Sequence, residues 1–126
     1  AKEHIPKASY IPDDQKEAHL IYAKNLGGAP THIVVSYRVK TEGIVQKEEG
    51  LMAASAVIQN LMLAAWAEAL GTVWVAGNIC HSEDIRKMLN IKENEFIAGI
   101  IPIGFPAVNP PPTPREDFRS KITWLK

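Results

Sequence analysis

The sequence predicts an α+β fold, and three observations carry that expectation. Strand-like and helix-like runs are mixed without a regular strand–helix–strand rhythm. One long run, residues 48–70, is apolar on almost every helical face, the pattern of a helix buried on all sides. Two other runs, residues 33–39 and 95–104, are dense in β-branched and other apolar residues bounded by turn formers. With 126 residues the chain is expected to form a single domain, 1–126, large enough to bury a core of its own.

The elements follow in order. Residues 1–12 are polar, contain Pro6 and Pro12, and read as an arm or loop. Asp13 and Asp14 suit the positive end of a helix that runs to about Asn25, where Gly27 and Gly28 stop it. Ile33 to Val39 form a strand, and residues 41–46 a turn or ragged loop. The long helix then spans residues 48–70, with Glu48 and Glu49 in its first turn facing solvent and Gly71 as its C-terminal stop. Small residues along it (Ala53, Ala54, Ala56, Ala64, Ala65, Ala67) would let another backbone come close, so a second subunit is expected to help cover it. Gln59 and Asn60 within it are expected to satisfy backbone or interface groups. Residues 72–76 read as a short strand ended by Gly77 and Asn78. Ser82 is the expected N-cap of a helix over residues 83–89. Residues 95–104 form the third strand, which Pro102 should place at an edge or bend, because proline removes one ladder donor. The three prolines 110–112 favour an extended polyproline conformation. The tail ends in Ile122, Thr123, Trp124 and Leu125, an apolar terminus expected to dock on a partner subunit.

Composition narrows the function classes. Lys plus Arg and Asp plus Glu balance at 14 each, and no arginine cluster is interleaved with aromatics, so neither nucleic acid nor an anionic membrane is an expected partner. Residues 51–70 are long enough to span a bilayer, but Gln59, Asn60 and Glu68 interrupt them, and a buried helix of a soluble protein is the expectation. The single cysteine, Cys80, excludes a disulfide within the chain and fits a reducing cytoplasm. The first residue is Ala1 rather than methionine, which fits processing or a piece of a longer protein.

Neither a GxGxxG after a strand nor a GxxxxGK[ST] occurs. His4, His19, His32 and His81 are scattered, and the adjacent pair Cys80–His81 lacks metal-ligand spacing, so no metal is expected. Cys80 reads as a packed or pocket-lining residue, because a Cys–His nucleophile needs a third group to position it. With no catalytic side-chain constellation, any catalysis should be carried by a cofactor.

Four segments in fixed order point to such a cofactor. They are Ala29-Pro30 opening the first strand; Ala56 to Ala65 continuing through Ala69-Leu70-Gly71-Thr72; Val73-Trp74-Val75-Ala76-Gly77; and Ile101-Pro102-Ile103-Gly104-Phe105-Pro106 followed by residues 110–115 and Trp124. Their order and spacing resemble the nitroreductase family over residues 24–126. The resemblance implies a mainly antiparallel sheet flanked by helices, a long buried central helix and a homodimer that exchanges its tail. It implies FMN as cofactor, NAD(P)H as reductant, and a small-molecule electron acceptor such as a nitroaromatic, a quinone or a conjugated enone.

By the same resemblance, Val75, Ala76, Gly77 and Asn78 line the flavin ring, with a backbone N–H facing its N5, and Arg115 meets the phosphate. The residue types suit those roles: glycine lets the chain approach a flat ring, and a guanidinium forks onto a phosphate dianion. No catalytic side chain is implied. The sequence departs from the family pattern at Thr113 and Ala76, and the arginine-rich segment that grips the phosphate is not found before Ala29. Two alternatives follow from that departure: a flavin-free dimeric binding module, and a fragment of an intact enzyme.

Overall fold

The computed structural model describes residues 12–40, 43–109 and 111–125. Most of the expected arm, residues 41 and 42 of the expected loop, and Pro110 of the proline run lie outside the described residues. Helix α1 (Lys16–Asn25) follows a 3-10 turn at Asp13–Gln15 and ends where Leu26 and Gly27 adopt positive φ. Strand β1 (Thr31–Arg38), helix α2 (Ile44–Ala67), strand β2 (Gly71–Thr72), helix α3 (Glu83–Met88) and strand β3 (Glu95–Gly104) complete the order. The three strands form one antiparallel sheet, β1-β3-β2, so the fold is α+β as expected.

Strand β3 lies at the centre and is buried on both faces, which is why its sequence is apolar without alternation. Toward α2, Ala98 and Ile101 pack with Ala54, Ile58 and, from β1, Ile33, Val35 and Tyr37. Toward α3, Ile97 and Ile100 pack with Cys80, Val34, Ile79 and Ile85. Residues three apart share a face here because a β-bulge interrupts the register: Val35 pairs with Gly99 but Ser36 with Ile97, leaving Ala98 without a partner in β1.

Pro102 corrects one expectation. It sits in the central strand opposite His32, neither at an edge nor at the bulge. Ile100 exchanges both of its backbone bonds with Val75, so two residues on Pro102 turns its nitrogen toward the same side. The chain at residues 73–74 has left the ladder there, and no donor is required. The short strand expected over 72–76 is thus β2 plus an isolated bridge at Val75.

Helix α2 is also shifted. It starts at Ile44, where the Lys47 N–H reaches the Gly43 carbonyl at 3.2 Å, so residues 44–46 belong to the helix and Glu48 and Glu49 sit past its first turn, exposed. It stops at Ala67 rather than Leu70. Ala69, at φ 59°, takes the left-handed position, and the Leu70 N–H bonds back to the Ala65 carbonyl at 2.9 Å, closing a Schellman turn. Gly71 serves elsewhere: it lies in β2 against Pro106, where an added Cβ would sit 3.2 Å from the proline ring. Helix α3 is opened by Ser82 in extended conformation, but the backbone carbonyl of Ser82, not its hydroxyl, makes the bond, to Arg86 N–H at 3.0 Å.

Within this chain α2 is buried only along one stripe, at Ala54, Ile58 and Ala65. Its other faces are open: Met52 is 67% and Trp66 61% exposed, and Gln59 and Asn60 are exposed rather than partnered in a core. The reason is arithmetic of surfaces: one small sheet can cover one face of a 24-residue helix. The helix is long and apolar enough to cross a membrane, but its inner stripe packs on β1 and β3. The tail carries one 3-10 turn, Phe118–Lys121, capped by the Asp117 carboxylate accepting from the Arg119 N–H at 3.0 Å. Trp124 is 84% exposed.

Candidate functional site

The segment that follows β2 is built by three anchors. The Trp74 indole N–H donates to the Ala98 carbonyl at 3.1 Å. Val75 gives its N–H to Ile100 at 3.0 Å and accepts the Ile100 N–H at 2.9 Å. The Gly77 carbonyl accepts the Cys80 N–H at 2.9 Å, starting the 3-10 turn Asn78–His81. Between the second and third anchors the chain is unpaired: among the described residues, the N–H groups of Ala76 and Gly77 have no hydrogen-bond acceptor.

Gly77 has φ 90° and ψ −146°, a conformation that side chains rarely adopt. A Cβ there would meet nothing within 4 Å. The glycine is therefore set by backbone shape, and the space beyond it is free.

Two depressions meet at Ala76. One, about 540 Å³, lies between α1 and the strand end, with Tyr22, His19 and Trp74 on its walls. The other, about 470 Å³, reaches from Ala76 and Gly77 across Ala98 to Tyr37, Leu51 and Cys80. Burial pushes the Cys80 thiol up from its ordinary value, and its Sγ lies 3.8 Å from the Val75 carbonyl, so it is a packed wall residue and not a ready nucleophile. Arg86, on the same rim, is already spent: its guanidinium donates to the carbonyls of Glu95 at 2.9 Å and Lys92 at 2.8 Å, tying α3 to the start of β3.

The structure thus runs Val75, Ala76, Gly77 and Asn78 from a bridge into a turn, with Val75 committed to Ile100 and the next two amides open. Arg115 is not among the residues lining either depression. It is exposed in the irregular tail and makes no ion pair among the described residues. Sequence reasoning missed Tyr22 and His19, because only the packing of α1 beside residues 73–76 brings them to the site. Chemically, the arrangement offers two open backbone donors and apolar and aromatic walls, and among the described residues no acid–base pair of its own. It suits a flat group that presents a hydrogen-bond acceptor at its edge.

Comparison with known proteins supplies the chain's relatives. A Bacillus subtilis protein provisionally named as the NAD(P)H nitroreductase YfhC is 30% identical over 114 residues, covering 90% of this chain and 58% of its own length. A solved structure from Bacteroides thetaiotaomicron, provisionally named NADH dehydrogenase/NAD(P)H nitroreductase, is 31% identical with a TM-score of 0.66, covering 82% of this chain and 59% of that one. The nitroreductase-like family protein of Bacillus cereus has the same fold, with a TM-score of 0.72 at 24% identity over 93% of this chain and 62% of that one. The chain spans roughly three-fifths of the length of these relatives. The family's sequence profile matches residues 1–105, which takes the likeness back through the N-terminal residues and leaves Arg115 and Trp124 outside it. On the strength of that match, the chain belongs to the nitroreductase family.

Proposed function

We propose that this chain, or the longer protein of which it is a part, is a flavin-dependent NAD(P)H oxidoreductase of the nitroreductase type, with FMN as cofactor and a nitroaromatic, quinone or related electron-poor molecule as acceptor. The observation that carries this reading is the pair of unpaired amides at Ala76 and Gly77 beside open space. FMN would supply the hydride chemistry, accepting from NAD(P)H and delivering to the acceptor. The chain's own residues do the positioning. The Ala76 or Gly77 N–H would hold the ring edge and favour the electron density that reduction places there. Trp74 and Tyr22 would wall one side, and Arg115 would meet the phosphate as a cationic fork.

A homodimer belongs to the same proposal. The outer face of α2 and the apolar tail are exposed together, and a second copy would cover both. The expected interface is that of an obligate dimer, about 2,000 Å² or more. Such a protein would work in the cytoplasm, where NAD(P)H is supplied.

Titrating FMN into the purified protein and following its fluorescence tests the reading. Gly77→Val is expected to abolish binding, with circular dichroism confirming the fold because φ 90° strains any valine. Arg115→Ala carries no such strain and should weaken binding by one charge-assisted contact, about 1.5–3 kcal/mol, or roughly ten- to a hundred-fold. Affinity unchanged in both variants would show the ring to be misplaced. A protein that takes up no FMN would favour the flavin-free dimeric module instead.

A further inference from the structure

At Ala98, β3 meets the segment that leads into the candidate site. Ala98 is skipped in the register with β1, and it is buried. Its carbonyl is served from the other side, by the Trp74 indole N–H at 3.1 Å. Gly99 makes this fit possible, since a methyl group at that position would overlap the indole. The same Trp74 ring forms part of the wall of the depression shared with Tyr22 and Ala76. Trp74 therefore touches the bulge in β3 and the proposed flavin site at once.

Its place in the chain adds to this. Residues 73 and 74 make no ladder bonds, and Val75 is an isolated bridge. Among the described residues, the hydrogen bonds that hold the chain immediately before the open amides of Ala76 and Gly77 are the two between Val75 and Ile100 and that of the indole. A bridge with no ladder beside it opens readily unless something else pins it.

We propose that Trp74 is a positioning residue for the flavin site: anchored in the β3 bulge, its indole fixes the place of the Ala76 and Gly77 amides at which the ring is received. The inference rests on the flavin reading, and its test separates the two. Trp74→Phe keeps an aromatic ring and removes the N–H. In the cofactor-free protein, hydrogen exchange at the Val75 and Ile100 amides should quicken about tenfold, the loss of one hydrogen bond. The amide of Ile101, which faces the β1 ladder, should keep its rate. FMN affinity should fall by a similar factor. Gly99→Ala, which displaces the indole from the opposite side, should reproduce both changes.

Faster exchange at every amide, Ile101 included, would make Trp74 a general packing residue and overturn the proposal. So would unchanged FMN affinity in both variants when the parent binds FMN. A parent protein that takes up no FMN overturns the flavin reading, and the positioning role with it.

Discussion

The two sides of helix α2 face different worlds. The inner stripe, Ala54, Ile58 and Ala65, closes a core with β1 and β3, and Ile58 is fully buried. The outer side, with Met52, Val57, Leu63 and Trp66, is as apolar but lies open, as do Phe118, Trp124 and Leu125 of the tail. A chain that needed only its own core would carry polar residues on those surfaces. The proposed dimer accounts for the contrast: under it the sequence of α2 serves two interfaces, of which this chain supplies one.

That comparison can be broken at its strongest point first. Ile58→Ala removes side-chain volume from the closed core and should cost about 2–5 kcal/mol of folding stability, read from denaturant unfolding. A loss below about 0.5 kcal/mol, the usual range of a surface change, would erase the distinction between the two sides. Trp66→Glu on the open side should do the reverse: leave the monomer's fold intact and convert the dimer to monomer in light scattering at micromolar concentration. A parent protein that is already monomeric under those conditions would leave the outer face without its second copy.

Removal of residues 114–126 should weaken the dimer and lower its melting temperature, because the tail's exposed apolar end is then lost from the partner's surface. An unchanged melting temperature would take the tail out of the interface. The smallest expected effect concerns the edge of the sheet. The Ser36 hydroxyl donates to Glu95 at 2.6 Å and, as the leading cause, holds that carboxyl below its ordinary value of 4.5. A carboxyl lowered by folding stabilises the native state above its ordinary pKa, and that contribution is lost as pH falls through the lower folded value. Ser36→Ala should therefore cost more stability at pH 7 than at pH 3. Equal losses at the two pH values would mean that the bond has no bearing on the ionised form.

The parts of the fold that were legible in the sequence are those decided locally. Strands β1 and β3 announce themselves by β-branched density, and the stop of α1 by Gly27 and Gly28. The misread boundaries are places where a residue's usual habit was overruled by packing. Gly71 looks like a helix stop, yet its missing side chain is needed against Pro106, so Ala69 takes the strained turn instead. Pro102 looks like an edge residue, yet it fits mid-sheet because the neighbouring chain has left the ladder at residues 73–74. The all-round apolarity of α2 was visible, but such a run does not mark which stripe packs on β1 and β3.

The candidate site divides in the same way. Residues 75–78 were named through a family pattern, and they run from the Val75 bridge into the turn at Asn78. What the pattern could not show is which amides are free. That depends on Val75 being consumed by Ile100, a pairing between residues 25 apart in sequence. Tyr22 and His19 carry no local mark of a binding role and join the site only through the position of α1.

The most direct test of the central claim is an amide chemical-shift titration of the ¹⁵N-labelled protein with FMN. The account predicts that the Ala76 and Gly77 amides move most, that Val75 moves less because its N–H stays on Ile100, and that Ile101 in the β1 ladder does not move. FMN binding with the largest shifts elsewhere, for instance at the lysine-lined depression formed by Lys40, Lys47 and Lys92, would contradict it.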